Sequence, residues 1–131
     1  MTLILLVDDD EDCRIICRTF LRHAGFRVSE CSDGESAIVR ARQEKPDLIL
    51  MDLSLPRVNG WEATRVLKGD DRTRTIPVVA LTANAFPADQ KRASEMGFDG
   101  YLTKPVSPRD VFAEVQCQMQ RARHPAEVRA R

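Results

Sequence analysis

The sequence predicts an α/β fold, a doubly wound parallel sheet of five strands with helices on both faces. Three observations carry this expectation. Short apolar runs alternate with helical patterns five times along the chain. Two of the runs, Leu3–Val7 and residues 48–51, are apolar at every position, as strands buried on both faces must be. The length, 131 residues, suits one ordinary domain. Strict alternation of strand and helix implies parallel pairing, with crossover helices covering the sheet.

The elements follow in order. Leu3–Val7 is the first strand. A helix over residues 11–24 comes next, with Asp10 or Asp12 as its N-cap and Gly25 closing it. Cys13, Ile16, Cys17, Phe20, Leu21 and Ala24 recur at the spacing of a helical stripe that faces a core. That pattern makes Cys13 and Cys17 packing residues rather than metal ligands, since no CxxC pair stands beside them. Residues 26–31 read as the second strand. Residues 34–44 read as the second helix, with Ala37, Ile38 and Ala41 inward. Residues 48–51 are the third strand, residues 60–68 the third helix, and the polar stretch 69–75 a loop. Residues 77–81 form the fourth strand, 88–96 the fourth helix, ended by Gly97, and 100–103 a short fifth strand. The last helix starts near Pro108, a residue suited to a first helical turn, and turns Val111, Phe112, Val115 and Met119 inward. Cys117 lies off that stripe. One domain is expected over residues 1–120, with 121–131 a polar tail or linker stub.

Charge and hydropathy exclude several classes. Lys and Arg number 20, and so do Asp and Glu, so no global basic field exists to draw nucleic acid or an anionic membrane. The longest apolar run, Leu3–Val7, is too short to span a bilayer, and it leads into acids rather than a cleavage site. A cytoplasmic location without membrane insertion is expected. Reduced thiols follow from that compartment.

The polar residues at the strand ends point to the chemistry. Asp8 and Asp9 follow the first strand, Asp52 the third, Thr82 the fourth and Lys104 the fifth. In a parallel sheet these positions share one rim, where such folds place their sites. Three carboxylates packed together repel one another unless a cation sits among them. Oxygen-only ligands suit Mg²⁺, and no Cys or His stands at the rim to favour zinc. Lys104 adds a compact positive charge, and the Thr82 hydroxyl adds a donor. The set fits phosphoryl transfer onto a carboxylate. Each residue alone has an ordinary reading, since acids after strands often cap helices or open loops. Five at one rim argue for function.

The chain resembles the response-regulator receiver family over about residues 2–120. The resemblance rests on Leu6-Val7-Asp8-Asp9, on residues 45–53 with Leu55-Pro56 and Asn59-Gly60 beyond them, on residues 77–83, and on residues 99–105. It implies a flavodoxin-like sheet of order 2-1-3-4-5. It implies Asp52 as phosphoacceptor and a Mg²⁺ ion held by Asp9, Asp52 and the backbone carbonyl of Ser54, with Asp8 acting mostly through water. It implies that Lys104 pairs with the carboxylate or phosphoryl oxygen, and that its bond to Pro105 is cis, as is usual in the family. Thr82 and Tyr101 match the family's switch pair. Ser54 and Asn84 occupy the positions that tune hydrolysis. From its residues alone, Tyr101 reads first as an edge residue with its hydroxyl in water. Trp61 reads as a packing or surface residue, and neither His23 nor His124 as a phosphodonor.

The implied partners are a histidine kinase or histidine phosphotransfer protein upstream and a protein target downstream. The chain is expected to catalyse only its own phosphorylation and dephosphorylation. The thin apolar stripe of the fourth helix (Ala88, Ala93, Met96) makes that helix the element expected to shift. About ten residues follow the last helix, too few for a DNA-binding module, so output by protein contact is expected, from a stand-alone receiver or one receiver of a hybrid kinase. Three rival readings are a phosphorylation-independent scaffold, a metal-dependent aspartyl phosphatase and a nucleotide- or flavin-binding domain. The phosphatase would require a capped pocket that these short loops do not supply. The nucleotide-binding domain would require a glycine-rich turn where Asp8-Asp9-Asp10 stands.

Overall fold

The computed structural model describes residues 2–55, 57–83 and 86–123. The elements run β1 (Leu3–Val7), α1 (Glu11–His23), β2 (Arg27–Cys31), α2 (Gly34–Glu44), β3 (Leu48–Asp52), α3 (Gly60–Lys68), β4 (Val78–Thr82), α4 (Pro87–Glu95), β5 (Gly100–Thr103) and α5 (Pro108–Arg123). All strands are parallel, in the order β2-β1-β3-β4-β5. This is the expected doubly wound sheet. Helix α5 extends through Arg123 into the segment expected as tail, and residues 124–131 lie outside the described residues.

Local chemistry sets the boundaries. Asp10 caps α1, accepting from the N–H groups of Asp12 and Cys13. Asp33 caps α2 and Asn59 caps α3 in the same way. Beyond α1 and α4 the chain turns through Gly25 (φ 96°) and Gly97 (φ 101°), the left-handed step that ends a helix cheaply only at glycine. The N–H of Phe26 is taken by the carbonyl of Leu21 in that turn, so β2 starts one residue later than expected, at Arg27.

Successive strand residues face opposite sides, which divides the core in two. Leu5, Val7, Ile49, Met51, Val78 and Ala80 pack with the small residues of α2, α3 and α4, among them Ala37, Ala41, Ala63 and Ala93. Ile4, Leu6, Leu48, Leu50, Val79 and Leu81 pack with Cys17 and Leu21 of α1 and Val111 and Val115 of α5.

The inward stripes prove narrower than expected. Ile16 is 47% exposed and Ala24 is exposed on α1, Phe112 is 41% exposed on α5, and Ala88 is exposed on α4. Helix α1 meets the sheet along Cys17 and Leu21, which leaves Ala24 on the groove between α1 and α5 and Ile16 beside Pro105 and Val106, while Phe112 lies tilted at 45° against Phe26, 6.4 Å between ring centres. Cys13 is half-buried and Cys17 buried, as packing residues should be, and Cys117 is exposed.

Away from the strand-end rim, one described buried side chain lacks a hydrogen-bond partner. The hydroxyl of Thr64 in α3 is fully buried and finds no hydrogen-bond partner among the described residues. Replacing it with the isosteric valine removes a desolvated donor, so Thr64→Val is expected to raise stability by about 1 kcal/mol. A higher urea midpoint at unchanged slope is the expected result. An unchanged or lower midpoint would show that the hydroxyl is no net cost.

Candidate functional site

The parallel register brings the strand ends together. Val7 lies opposite Met51, and Asp52 lies opposite Leu81. Thr82 pairs with Thr103, and the N–H of Lys104 donates to the carbonyl of Thr82 at 2.7 Å. Asp8, Asp52, Thr82 and Lys104 therefore emerge side by side on one rim, as the sequence predicts, and Asp9 joins Asp8.

The geometry is that of two buried carboxylates sharing one ammonium. Asp8 is fully buried and Asp52 is 2% exposed. Lys104 Nζ lies 2.9 Å from Asp8 Oδ2 and 3.2 Å from Asp52 Oδ2. The second contact is a hydrogen bond, whereas the first is an ion pair off the hydrogen-bonding line, and Asp8 Oδ2 has no hydrogen-bond donor among the described residues. Asp8 Oδ1 accepts from the N–H of Asp10 (2.9 Å), and Asp52 Oδ1 accepts from the N–H of Ser54 (3.0 Å). Asp9 is exposed, yet Asp8, Asp9 and Asp52 can each present an oxygen within 4.8 Å of the others. The Lys104–Pro105 bond is cis.

The two buried acids are pushed apart in acidity. Burial raises Asp52, and the Asp8 charge adds to it, so its pKa climbs to about 6 against the opposing pull of the Ser54 N–H and Lys104. Burial also works against the Asp8 anion, but the neighbouring Cys13 thiol, the Lys104 ammonium and the Asp10 N–H outweigh it, and Asp8 stays below the usual carboxylate range. Burial disfavours the Lys104 cation, and the two carboxylates more than offset this, holding Lys104 above its ordinary value. Three carboxylates against one ammonium leave a deficit of positive charge. The undonated Asp8 oxygen and the all-oxygen donor set fit a hard divalent cation.

Two neighbours of this site were not legible as site residues. Arg14 donates from Nη1 to the carbonyl of Asp8 at 2.6 Å, and Cys13 sets its thiol beside the Asp8 carboxylate. Both lie one turn into α1, where only the helical period and a strand-end acid hint at them. Tyr101 is half-buried beside Met96 and Phe98 on the α4 side of the sheet, not at a fully wet edge. Ser54 is exposed. Asn84 lies outside the described residues.

These features define a signalling module of the two-component type. The response regulator receiver domain matches residues 4–116, and the chain belongs to that family. Among similar proteins, the polar-differentiation response regulator DivK of Brucella anthropi is 39% identical over 104 residues, covering 79% of this chain and 85% of DivK. The alkaline phosphatase synthesis transcriptional regulatory protein PhoP of Bacillus subtilis is 39% identical over 119 residues, covering 91% of this chain and 49% of PhoP. The chain thus spans about half the length of the transcriptional regulators it matches. The solved structure of chemotaxis protein CheY4 of Vibrio cholerae superposes with a TM-score of 0.84 at 27% identity, over 88% of this chain and 97% of that one. The receiver domain of the Pseudomonas aeruginosa sensor histidine kinase PA1611, which has a magnesium ion coordinated in its active-site cleft, superposes with a TM-score of 0.84 at 34% identity, over 91% and 98%. No described helix is long and apolar enough to cross a membrane.

Proposed function

We propose that this receiver takes a phosphoryl group from a phosphohistidine onto Asp52 and returns it to water, catalysing no other reaction. The observation that carries the reading is Lys104, whose ammonium touches both Asp8 and Asp52, the latter 52 residues away in sequence. A carboxylate held on one oxygen by the Ser54 N–H and on the other by an ammonium is oriented for attack. An Asp52 oxygen bonds to phosphorus as the phosphorus–nitrogen bond breaks, and the electron pair returns to the donor imidazole. Lys104 then follows the charge onto a phosphoryl oxygen. The Thr82 hydroxyl donates to another.

Asp9, Asp52 and the carbonyl of Ser54 would hold Mg²⁺ directly, with Asp8 acting through water. Bound there, the ion supplies positive charge for the phosphoryl oxygens and relieves repulsion among the acids. Ser54 and Asn84, by their place in the family's sequence pattern, tune the rate of hydrolysis. Once Thr82 turns toward the phosphoryl group, the Tyr101 ring moves inward and α4, β5 and α5 present a changed face to a downstream protein. Helix α4 suits this role, since Ala93 is its one buried residue. The donor is a histidine kinase or histidine phosphotransfer protein, the location cytoplasmic, and the receiver unit residues 1–120 with a tail beyond.

The test is intact-protein mass after incubation with Mg²⁺ and acetyl phosphate. One Mg²⁺-dependent adduct in wild type, absent in Asp52→Ala, is the expected result. No adduct under a fast quench would favour a scaffold that binds partners without phosphorylation.

A further inference from the structure

We infer that Arg92 and Trp61 form a latch that holds α4 in its resting place, and so act as positioning residues that set how readily Asp52 accepts a phosphoryl group. The inference rests on the switch proposed above and names the contact that opposes it.

Helix α4 is poorly fixed by everything else. Helices α1, α2 and α3 start on capping side chains, whereas α4 starts on Phe86, which is 65% exposed and makes no side-chain capping bond. Its first turn is exposed apart from a half-buried Asp89, and its burial rests on Ala93. Against this background one directed contact stands out. The Arg92 guanidinium lies 4.4 Å from the centroid of the Trp61 ring. The same ring takes Phe98, just past the end of α4, edge-on at 5.5 Å and 81°. Trp61 thus touches the fourth helix at Arg92 and the chain just beyond it at Phe98.

The grip is anchored to the phosphoacceptor strand. Trp61 follows Gly60, the residue through which α3 rests against the backbone of Asp52 and Leu53. Trp61, Met96, Phe98 and Tyr101 also share one face of the core. A displacement of α4 relative to α3 must part Arg92 from Trp61. Phosphorylation then works against that contact, and by reciprocity its loss must favour the phosphorylated state by the same factor. A partly exposed cation–π contact of this kind corresponds to about two- to fivefold in an equilibrium constant. A purely structural role, in which Arg92 only covers the ring, would change stability and leave that equilibrium alone.

The experiment uses the full chain with Mg²⁺ and beryllofluoride, a phosphoryl mimic, for wild type, Arg92→Ala and Arg92→Lys. Fluorine NMR gives the affinity for the mimic. Emission from Trp61, the single tryptophan, reports the contact. Arg92→Ala is expected to bind the mimic about two- to fivefold more tightly, with Arg92→Lys between it and wild type. Wild-type emission should move on binding toward that of Arg92→Ala. Unchanged mimic affinity in Arg92→Ala overturns the latch. So does a wild-type emission that stays constant while amide exchange in residues 87–103 changes, and there the switch itself survives. If wild type binds no mimic, or binds it without any change in α4 exchange, the switch fails and the latch with it.

Discussion

Gly60→Ala is expected to lower stability by about 2–3 kcal/mol and to slow phosphorylation of Asp52 on the order of 100-fold. Gly60 opens α3 and lies directly on the end of β3. A methyl group there would overlap the carbonyl oxygen of Asp52 and come within 2.8 Å of the Asp52 carbonyl carbon and of Leu53 Cα. All three are backbone atoms at the end of β3, so no side-chain rotation relieves the clash. Either α3 lifts or β3 shifts, and each moves Asp52 relative to Lys104. The control is Gly69→Ala at the other end of α3, where φ is −88° and the nearest atom lies at 3.4 Å. Urea unfolding and the rate of adduct formation measure the two effects. A Gly60→Ala protein as stable as Gly69→Ala would refute the close packing of α3 on β3.

Asp52→Asn is expected to stabilise the metal-free protein at neutral pH while removing the carboxylate proposed as phosphoacceptor. Asp52 titrates near 6 in the fold, against an ordinary value of 3.8, mainly because burial disfavours its anion. A carboxyl raised in this way contributes its full stability below pH 3.8 and loses it as pH rises through 6. Asp8 is shifted the other way, so its contribution is lost only on acidification below the ordinary range. Between pH 4 and 6 the Asp52 effect therefore stands alone at this site. Wild type in the presence of chelator should lose on the order of 2 kcal/mol across that window. The asparagine variant should give a flat profile and exceed wild type at pH 7.5. Added Mg²⁺ should then stabilise wild type more than the variant, since a ligand that binds only the folded state adds to its stability. A flat wild-type profile, or a variant less stable at pH 7.5, would remove burial as the dominant influence on Asp52.

The strands were legible because burial on both faces leaves a continuous apolar run, and the rim followed from counting which polar residue ends each run. Asp8, Asp52, Thr82 and Lys104 fall where that count puts them. Helix faces were less legible. A stripe of apolar residues states which side turns inward, but not how wide the contact is, and Ile16, Ala24 and Phe112 sit just past its edge. Contacts between elements far apart in sequence left no local trace. Asp99 accepts from Lys68 Nζ (2.8 Å) and from the N–H of Val78 (2.9 Å), while its carbonyl accepts from Gln118 and Arg121. That network ties α3, β4 and α5 together below the sheet. Arg92 over Trp61 is of the same kind, a pairing that only the fold creates.

The sheet also acts as a partition. Adjacent residues such as Leu5 and Leu6 send their side chains to opposite layers, and the two cores share no side chain. The layer holding α4 sets alanines of three helices among larger groups such as Leu67, Phe98 and Trp61. The layer holding α1 and α5 is filled by Leu, Ile, Val and Cys side chains. Substitutions on one side can therefore accumulate without retuning the other. A lineage could re-specify what the α1–α5 surface binds while conserving the moving parts behind the sheet, or the reverse, each by changes confined to a single layer.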